Sequence, residues 1–206
     1  MITELISRIG TWYDQSLEVG GYKLVALLMA IESSIFPLPS EIVIPPAADL
    51  AHRTGRFSMV GLVIAGAIGS WIGASVMYWF ARLAGRPLIL RYGPYFFIPA
   101  SKVEGAERWA AHYGAAGIFA ARLLPVVRHL IGIPAGIVRL NFLQYSIYTL
   151  LGSALWCAVL CWLGVRFGPV IRKGNMHEVA GVLGACVLVL GVLYYLLVHR
   201  HMKTRK

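Results

Sequence analysis

The chain holds only nine acidic residues, and three of them, Glu32, Glu41 and Asp49, fall in a stretch from Tyr22 to Leu50 that is otherwise largely apolar. A charge at the centre of a bilayer costs at least about 2.5 to 3.5 kcal/mol, so such a group faces a cavity, pairs with an opposite charge or titrates. A second apolar stretch, Tyr113 to Leu140, carries Arg122 and Arg128, with Arg139 at its exit. Acid in one segment and base in the other defines the chemistry to expect. Guanidinium groups hold a phosphate through paired hydrogen bonds, which makes Arg122 and Arg128 candidates for an anionic head group. Carboxylates whose proton affinity is raised by desolvation and lowered by nearby arginines can exchange protons in a cycle, which makes Glu32 and Glu41 candidates for proton coupling or gating. The competing reading is that these four form buried ion pairs that only fix the fold. Asp49 and Arg139 lie close to segment ends, where a side chain can snorkel to the interface; they are secondary candidates. So is Ser40, which suits the cap of a following half-helix.

The elements that must position these residues follow from hydropathy and breakers. The 206 residues are 58% hydrophobic and 14% charged, with mean hydropathy +0.70, where a soluble domain carries about 25% charged residues. Apolar runs such as Met59 to Ala81 and Val179 to Val198 match a hydrocarbon core of roughly 30 Å at about 1.5 Å per residue. The stretch Tyr22 to Leu50 is interrupted by Pro37, Pro39, Pro45 and Pro46. Proline removes a backbone donor and clashes with the preceding turn, so the stretch should split into a half-helix up to about Phe36 and a second piece from Ser40 to Ala51. Neither is long enough to cross. A re-entrant hairpin results, which a bilayer permits where the broken backbone packs in protein or lines a wet cavity.

The plan then repeats. Tyr113 to Leu140 is broken by Pro125 and Pro134 and is followed by a long apolar run, Phe142 to Val165. Ile44-Pro45-Pro46-Ala47 resembles Ile133-Pro134-Ala135-Gly136, and Gly69-Ser70-Trp71 resembles Gly152-Ser153-Ala154-Leu155-Trp156. A unit made of one non-crossing hairpin and one span must sit upside down relative to its copy, as in many secondary transporters. The expected fold is an all-α polytopic membrane protein with two inverted repeats, each a re-entrant helical hairpin followed by a transmembrane helix, plus a final transmembrane helix. The expected parts are an amphipathic helix over 1–21 and a transport domain over 22–168. Within that domain come a re-entrant segment 22–51, a span 57–82, a cytoplasmic connector 85–108, a re-entrant segment 113–140 and a span 142–166. A last span over 179–198 and a basic cytoplasmic tail over 199–206 complete the chain.

The formal charge is +10, but the basic residues gather at segment ends, notably Arg82, Arg86, Arg91, Lys102 and Arg108, and in the tail. That is the positive-inside pattern of an inner-membrane, multi-pass protein and not a nucleic-acid footprint. Three crossings with the tail inside leave the N-terminus outside, with Arg166, Arg172 and Lys173 in the outer loop as the feature that fits least. Met1 to Gly20 mixes acids and bases with apolar residues, unlike a secretory signal. Cys157, Cys161 and Cys186 give neither a disulfide framework nor a metal spacing and read as small apolar residues. Ala65, Gly69 and Gly73 share a helix face and permit close helix approach. Trp71, Trp79, Trp156 and Trp162 read as packing or interfacial anchors rather than contacts to a lipid tail. No metal helix, phosphate loop or nucleophile turn is present, so neither metal nor cofactor is expected.

With Glu32, the run Phe36-Pro37-Leu38-Pro39-Ser40-Glu41, Arg122 with Pro125 and Arg128, and the tip Gly132 to Gly136, the chain resembles the DedA family of bacterial membrane proteins, whose domain is shared with lipid scramblases of the eukaryotic endoplasmic reticulum. The resemblance covers about Tyr22 to Gly168. It implies two facing re-entrant hairpins and movement of lipids, undecaprenyl phosphate and phosphatidylethanolamine among them, with the critical acids at Glu32 and Glu41 and the critical arginines at Arg122 and Arg128. Some relatives carry an Asp in a Pro-Gly-Asp tip where this chain has Pro-Ser-Glu. The leading expectation is thus a lipid transporter for an anionic lipid phosphate, coupled to protons, in which lipid, protons and membrane are the partners and a homo-oligomer is left open. The alternatives are a proton or cation antiporter and, remotely, an intramembrane lipid phosphatase, for which His129 lacks an orienting carboxylate and the second basic motif is missing.

Overall fold

The computed structural model describes residues 2–34, 40–92, 100–124, 128 and 131–172. The expected last span and basic tail, the prolines at 37, 39 and 125, and His129 lie outside the described residues. Residues 1–165 form one compact unit and 166–206 a second, of which 166–172 are described. Every element among the described residues is helical: α1 (Ile2–Glu32), α2 (Ser40–Thr54), α3 (Met59–Tyr92), α4 (Ala100–Arg122), α5 (Gly132–Ile137) and α6 (Phe142–Arg172).

Among the described residues, only α3, over Met59–Gly85, and α6, over Phe142–Pro169, are long and apolar enough to cross a membrane. Both present an exposed apolar stripe at helical spacing: Val60, Ile64, Ile68, Ile72 and Val76 on α3, and Leu143, Ile147, Leu151, Leu155 and Val159 on α6. A water-soluble fold would bury such stripes, so their natural solvent is lipid. The facing sides pack together. Gly66 lies against the Cys157 thiol, the rings of Tyr78 and Tyr145 stack at 4.9 Å, and Trp79 meets Phe142 at 5.4 Å. Positions rise along α3 as their partners fall along α6, so the two helices run antiparallel.

The shorter helices are arranged around this pair in matching fashion. Helix α1 breaks at Gly21 (φ 54, ψ −142) and α4 at Gly114 (φ 53, ψ −139), a backbone conformation that a Cβ disfavours. The same break thus precedes Tyr22–Glu32 in α1 and Ala115–Arg122 in α4, a likeness invisible in residue identities alone. At about 1.5 Å per residue, both pieces are far shorter than a hydrocarbon core of roughly 30 Å. The first packs on α3 at Gly69-Ser70 and the second on α6 at Gly152-Ser153. A Cβ on Gly69 would stand 2.1 Å from the Ala26 carbonyl oxygen, and one on Gly152 2.7 Å from the Arg122 Cβ. The second half-helices cross over: α2 meets α6, where a Cβ on Gly164 would stand 2.3 Å from the Pro45 carbonyl oxygen, and α5 meets α3, where one on Gly136 would stand 2.3 Å from that of Tyr78.

Pro45 and Pro46 lie inside α2, which runs on through them to Thr54. Two hydrogen bonds to the preceding turn are lost there, and the close seating of Gly164 against Pro45 holds the helix across the gap. The connector 85–108 is helical on both sides of residues 93–99, with Gly85 (φ 73, ψ 170) breaking α3 at its start.

Candidate anion-binding site

The C-terminal ends of α1 and α4 converge, and this brings Glu32, Arg128 and Arg122 together from distant parts of the chain. Glu32 is 0% exposed and Arg128 4% exposed. The Arg128 guanidinium donates to the Glu32 carboxylate, and Ser33 Oγ donates to the other carboxylate oxygen at 3.0 Å. The guanidinium also sits 5.4 Å from the centre of the Trp156 ring on α6, a cation–π placement. The Trp156 indole in turn donates to Ser40 Oγ at 3.3 Å. Ser40, the first residue of α2, therefore links α2 to α6 instead of only finishing its own helix end. Trp156 is buried beside the charge and is part of the site, whereas packing or anchoring was expected of it.

Arg122 is held differently. It is the last residue of α4, 3% exposed, and its terminal nitrogen donates to the Tyr145 hydroxyl at 3.2 Å. That hydroxyl donates onward to the Ala74 carbonyl of α3 at 3.1 Å. Arg122 Nε is buried with no hydrogen-bond partner, and among the described residues no carboxylate pairs with it. A guanidinium stays protonated in any protein setting, so this is a buried positive charge with an open donor, next to a hydroxyl that orients it.

The remaining candidates are placed as follows. Glu41 is in the first turn of α2 with its side chain exposed; its charge acts on Glu32, but it is not locked into the arginine pair. Asp49 does not snorkel: it is 7% exposed and paired with Arg53 one turn on at 3.1 Å, because both lie on the same face of α2. Arg139 is exposed, with positive φ of 53° in the turn after α5. Cys157 and Cys161 are free and buried between helices. Tyr145 and Ser33 were not singled out from the sequence. Trp156 could have been found through its place in the Gly-Ser repeat; Tyr145 carries no comparable signal.

Comparison with known proteins gives the family of the chain. The VTT domain model matches residues 38–166. The chain is 35% identical over 92% of its length to a Bacillus subtilis protein called undecaprenyl phosphate transporter A, covering 90% of that protein. It is 28% identical over 95% of its length to a Staphylococcus aureus protein of the same name, covering 93% of it. A Lactococcus lactis protein called alkaline phosphatase-like is 31% identical over 90% of this chain and 88% of its own. No solved structure matches the chain. The match covers most of the chain and contains the first span, nearly all of the second, Arg122 and Arg128, and so the chain belongs to the VTT-domain, or DedA, family of bacterial membrane proteins.

Proposed function

We propose that this protein is a transporter that carries a lipid phosphate, undecaprenyl phosphate in the first instance, between leaflets of the bacterial inner membrane. The observation that carries this reading is Arg122: a buried cation without a carboxylate partner among the described residues and with an open Nε donor. An anion arriving from lipid satisfies it, and a phosphate oxygen suits its donor geometry better than any neutral head group. The names of the B. subtilis and S. aureus relatives supply the lipid class.

In this reading the two copies lie inverted in the membrane with their hairpins re-entrant, so the head group passes between the hairpin tips while the isoprenoid tail stays in lipid. The phosphate first engages Arg122, whose donor is open. It then competes with Glu32 for Arg128. A carboxylate that loses its arginine in a buried place takes up a proton, which couples phosphate transfer to proton uptake. Glu41, exposed at the start of α2, passes that proton in this reading.

The test is translocation of undecaprenyl phosphate in proteoliposomes, with inorganic phosphate release followed in the same vesicles. Head-group movement that needs the protein, with the phosphate monoester intact, supports transport. No movement by folded protein contradicts it. A phosphatase reading has one observation in its favour, the name of the L. lactis relative, and release of inorganic phosphate would establish it. Dissipation of a pH gradient in vesicles without the lipid would instead favour an antiporter.

A further inference from the structure

A groove of about 490 Å³ lies on the outer face of α3, lined by Trp71, Ile72, Ser75, Val76, Trp79 and, from α6, Phe142. It contains none of the arginines of the buried site. Its walls are apolar, and it opens on the same face as the exposed Ile72 and Val76. Trp71 Nε1 and Ser75 Oγ, on side chains of its wall, are buried beneath that apolar surface with no hydrogen-bond partner, so the polar contact for a ligand lies at the rim of the groove.

At one end of the groove stands Arg82. Its guanidinium lies 5.2 Å from the centre of the Trp79 ring and donates to the Tyr78 hydroxyl at 2.7 Å, and no carboxylate pairs with it among the described residues. Tyr78 stacks on Tyr145, the residue that holds Arg122. Three arginines are thereby staged along the first half of α6: Arg128 at Trp156, Arg122 between Gly152 and Tyr145, and Arg82 level with Tyr145 and Phe142. Burial relaxes along the series, from 4% and 3% exposure for Arg128 and Arg122 to a partly exposed Arg82.

We propose that Arg82 and the Trp71–Trp79 groove form a second, surface-accessible binding site for one membrane lipid whose head group is a phosphate monoester. The head group is held by Arg82 and the chain lies along Ile72 and Val76. As a waiting station for the buried site, it rests on the transport reading above; as a binding site, it rests only on Arg82 and the groove. The basic residues that follow Arg82 put this end of α3 at the cytoplasmic leaflet, so the station serves uptake or release there.

The experiment uses the full chain in nanodiscs with a photoreactive benzophenone in place of Val76. The probes are tritiated dioleoyl phosphatidic acid and, in parallel, tritiated dioleoylglycerol, which lacks the phosphate. Position 76 should capture phosphatidic acid in preference to dioleoylglycerol by roughly tenfold, the ratio one charge-assisted contact supplies. Arg82→Gln should remove the preference. Arg82→Lys should keep most of it, which separates loss of charge from loss of fold. Arg56→Gln, at the far end of α3, should leave it unchanged. Equal capture of the two lipids, or a preference that survives Arg82→Gln or disappears with Arg56→Gln, overturns the proposal. Capture is read without transport, so failure of the translocation assay with intact capture would fall on the transporter reading and not on this site.

Discussion

At the scale of single residues, the two buried arginines have different jobs, and their substitutions should differ in kind. Removing Arg128 takes from the buried Glu32 carboxylate the guanidinium that neutralises it, a change that typically costs about 3 to 5 kcal/mol. Arg128→Ala should therefore lose folded protein, and the double substitution Glu32→Gln with Arg128→Gln should recover folding, read as thermal stability in detergent, without recovering transport. Recovery of transport would reduce the pair to a structural strut. Arg122 has no carboxylate partner among the described residues, so Arg122→Ala should cost far less stability. Tyr145→Phe removes the hydroxyl between Arg122 and the Ala74 carbonyl; it should cost about 1 kcal/mol and slow lipid movement severalfold by freeing the Arg122 head. The charges that the fold brings together, Glu32, Arg122 and Arg128, stood out in the sequence, because a charge in an apolar segment is conspicuous. Their division of labour did not: which arginine meets which acid depends on how α1, α4 and α6 converge, and Glu41, equal to Glu32 on sequence grounds, is exposed.

At the scale of elements, glycines decide how closely the half-helices reach the spans. Leucine at Gly69 or Gly73 would drive a side chain into the Ala26 or Ala30 carbonyl, each 2.1 Å from a Cβ, and neither backbone can yield cheaply. Gly69→Leu or Gly73→Leu should abolish folded protein, seen as loss of a monodisperse detergent peak. Gly114 and Gly105 make a sharper pair within α4. Both have open space around them, but Gly114 has φ +53 and Gly105 does not. Gly105→Ala should stabilise by up to about 1 kcal/mol, the helix-propensity difference, whereas Gly114→Ala should destabilise by about 1 to 2 kcal/mol through left-handed strain. Spacing in the sequence already placed Gly69 and Gly73 on a packing face. It could not place the twin breaks at Gly21 and Gly114, because a glycine in a helix and a glycine that ends one look alike until φ is known. Pro45 and Pro46 sit inside α2, the piece expected from Ser40 to Ala51, and Gly164 of α6 approaches Pro45 closely there.

At the scale of the whole molecule, the alternation of apolar runs and breakers was enough to expect two copies of one plan. The antiparallel course of α3 and α6 agrees with copies that lie inverted, but the membrane itself has to be tested. Ser58 and Asn141 precede the two spans and are both exposed. In a background without native cysteines, Ser58→Cys should react with an impermeant maleimide from outside the cell and Asn141→Cys only after the membrane is opened; labelling from the same side would refute the inverted arrangement. Whether the phosphate of a transported lipid supplies the charge missing opposite Arg122 can be decided by one comparison. That comparison is the rate at which the undecaprenyl phosphate head group crosses proteoliposome membranes with wild type and with folded Arg122→Ala. Rapid movement by wild type, reduced to the protein-free rate by the substitution, is the predicted result; movement at the wild-type rate by a folded Arg122→Ala protein would contradict it.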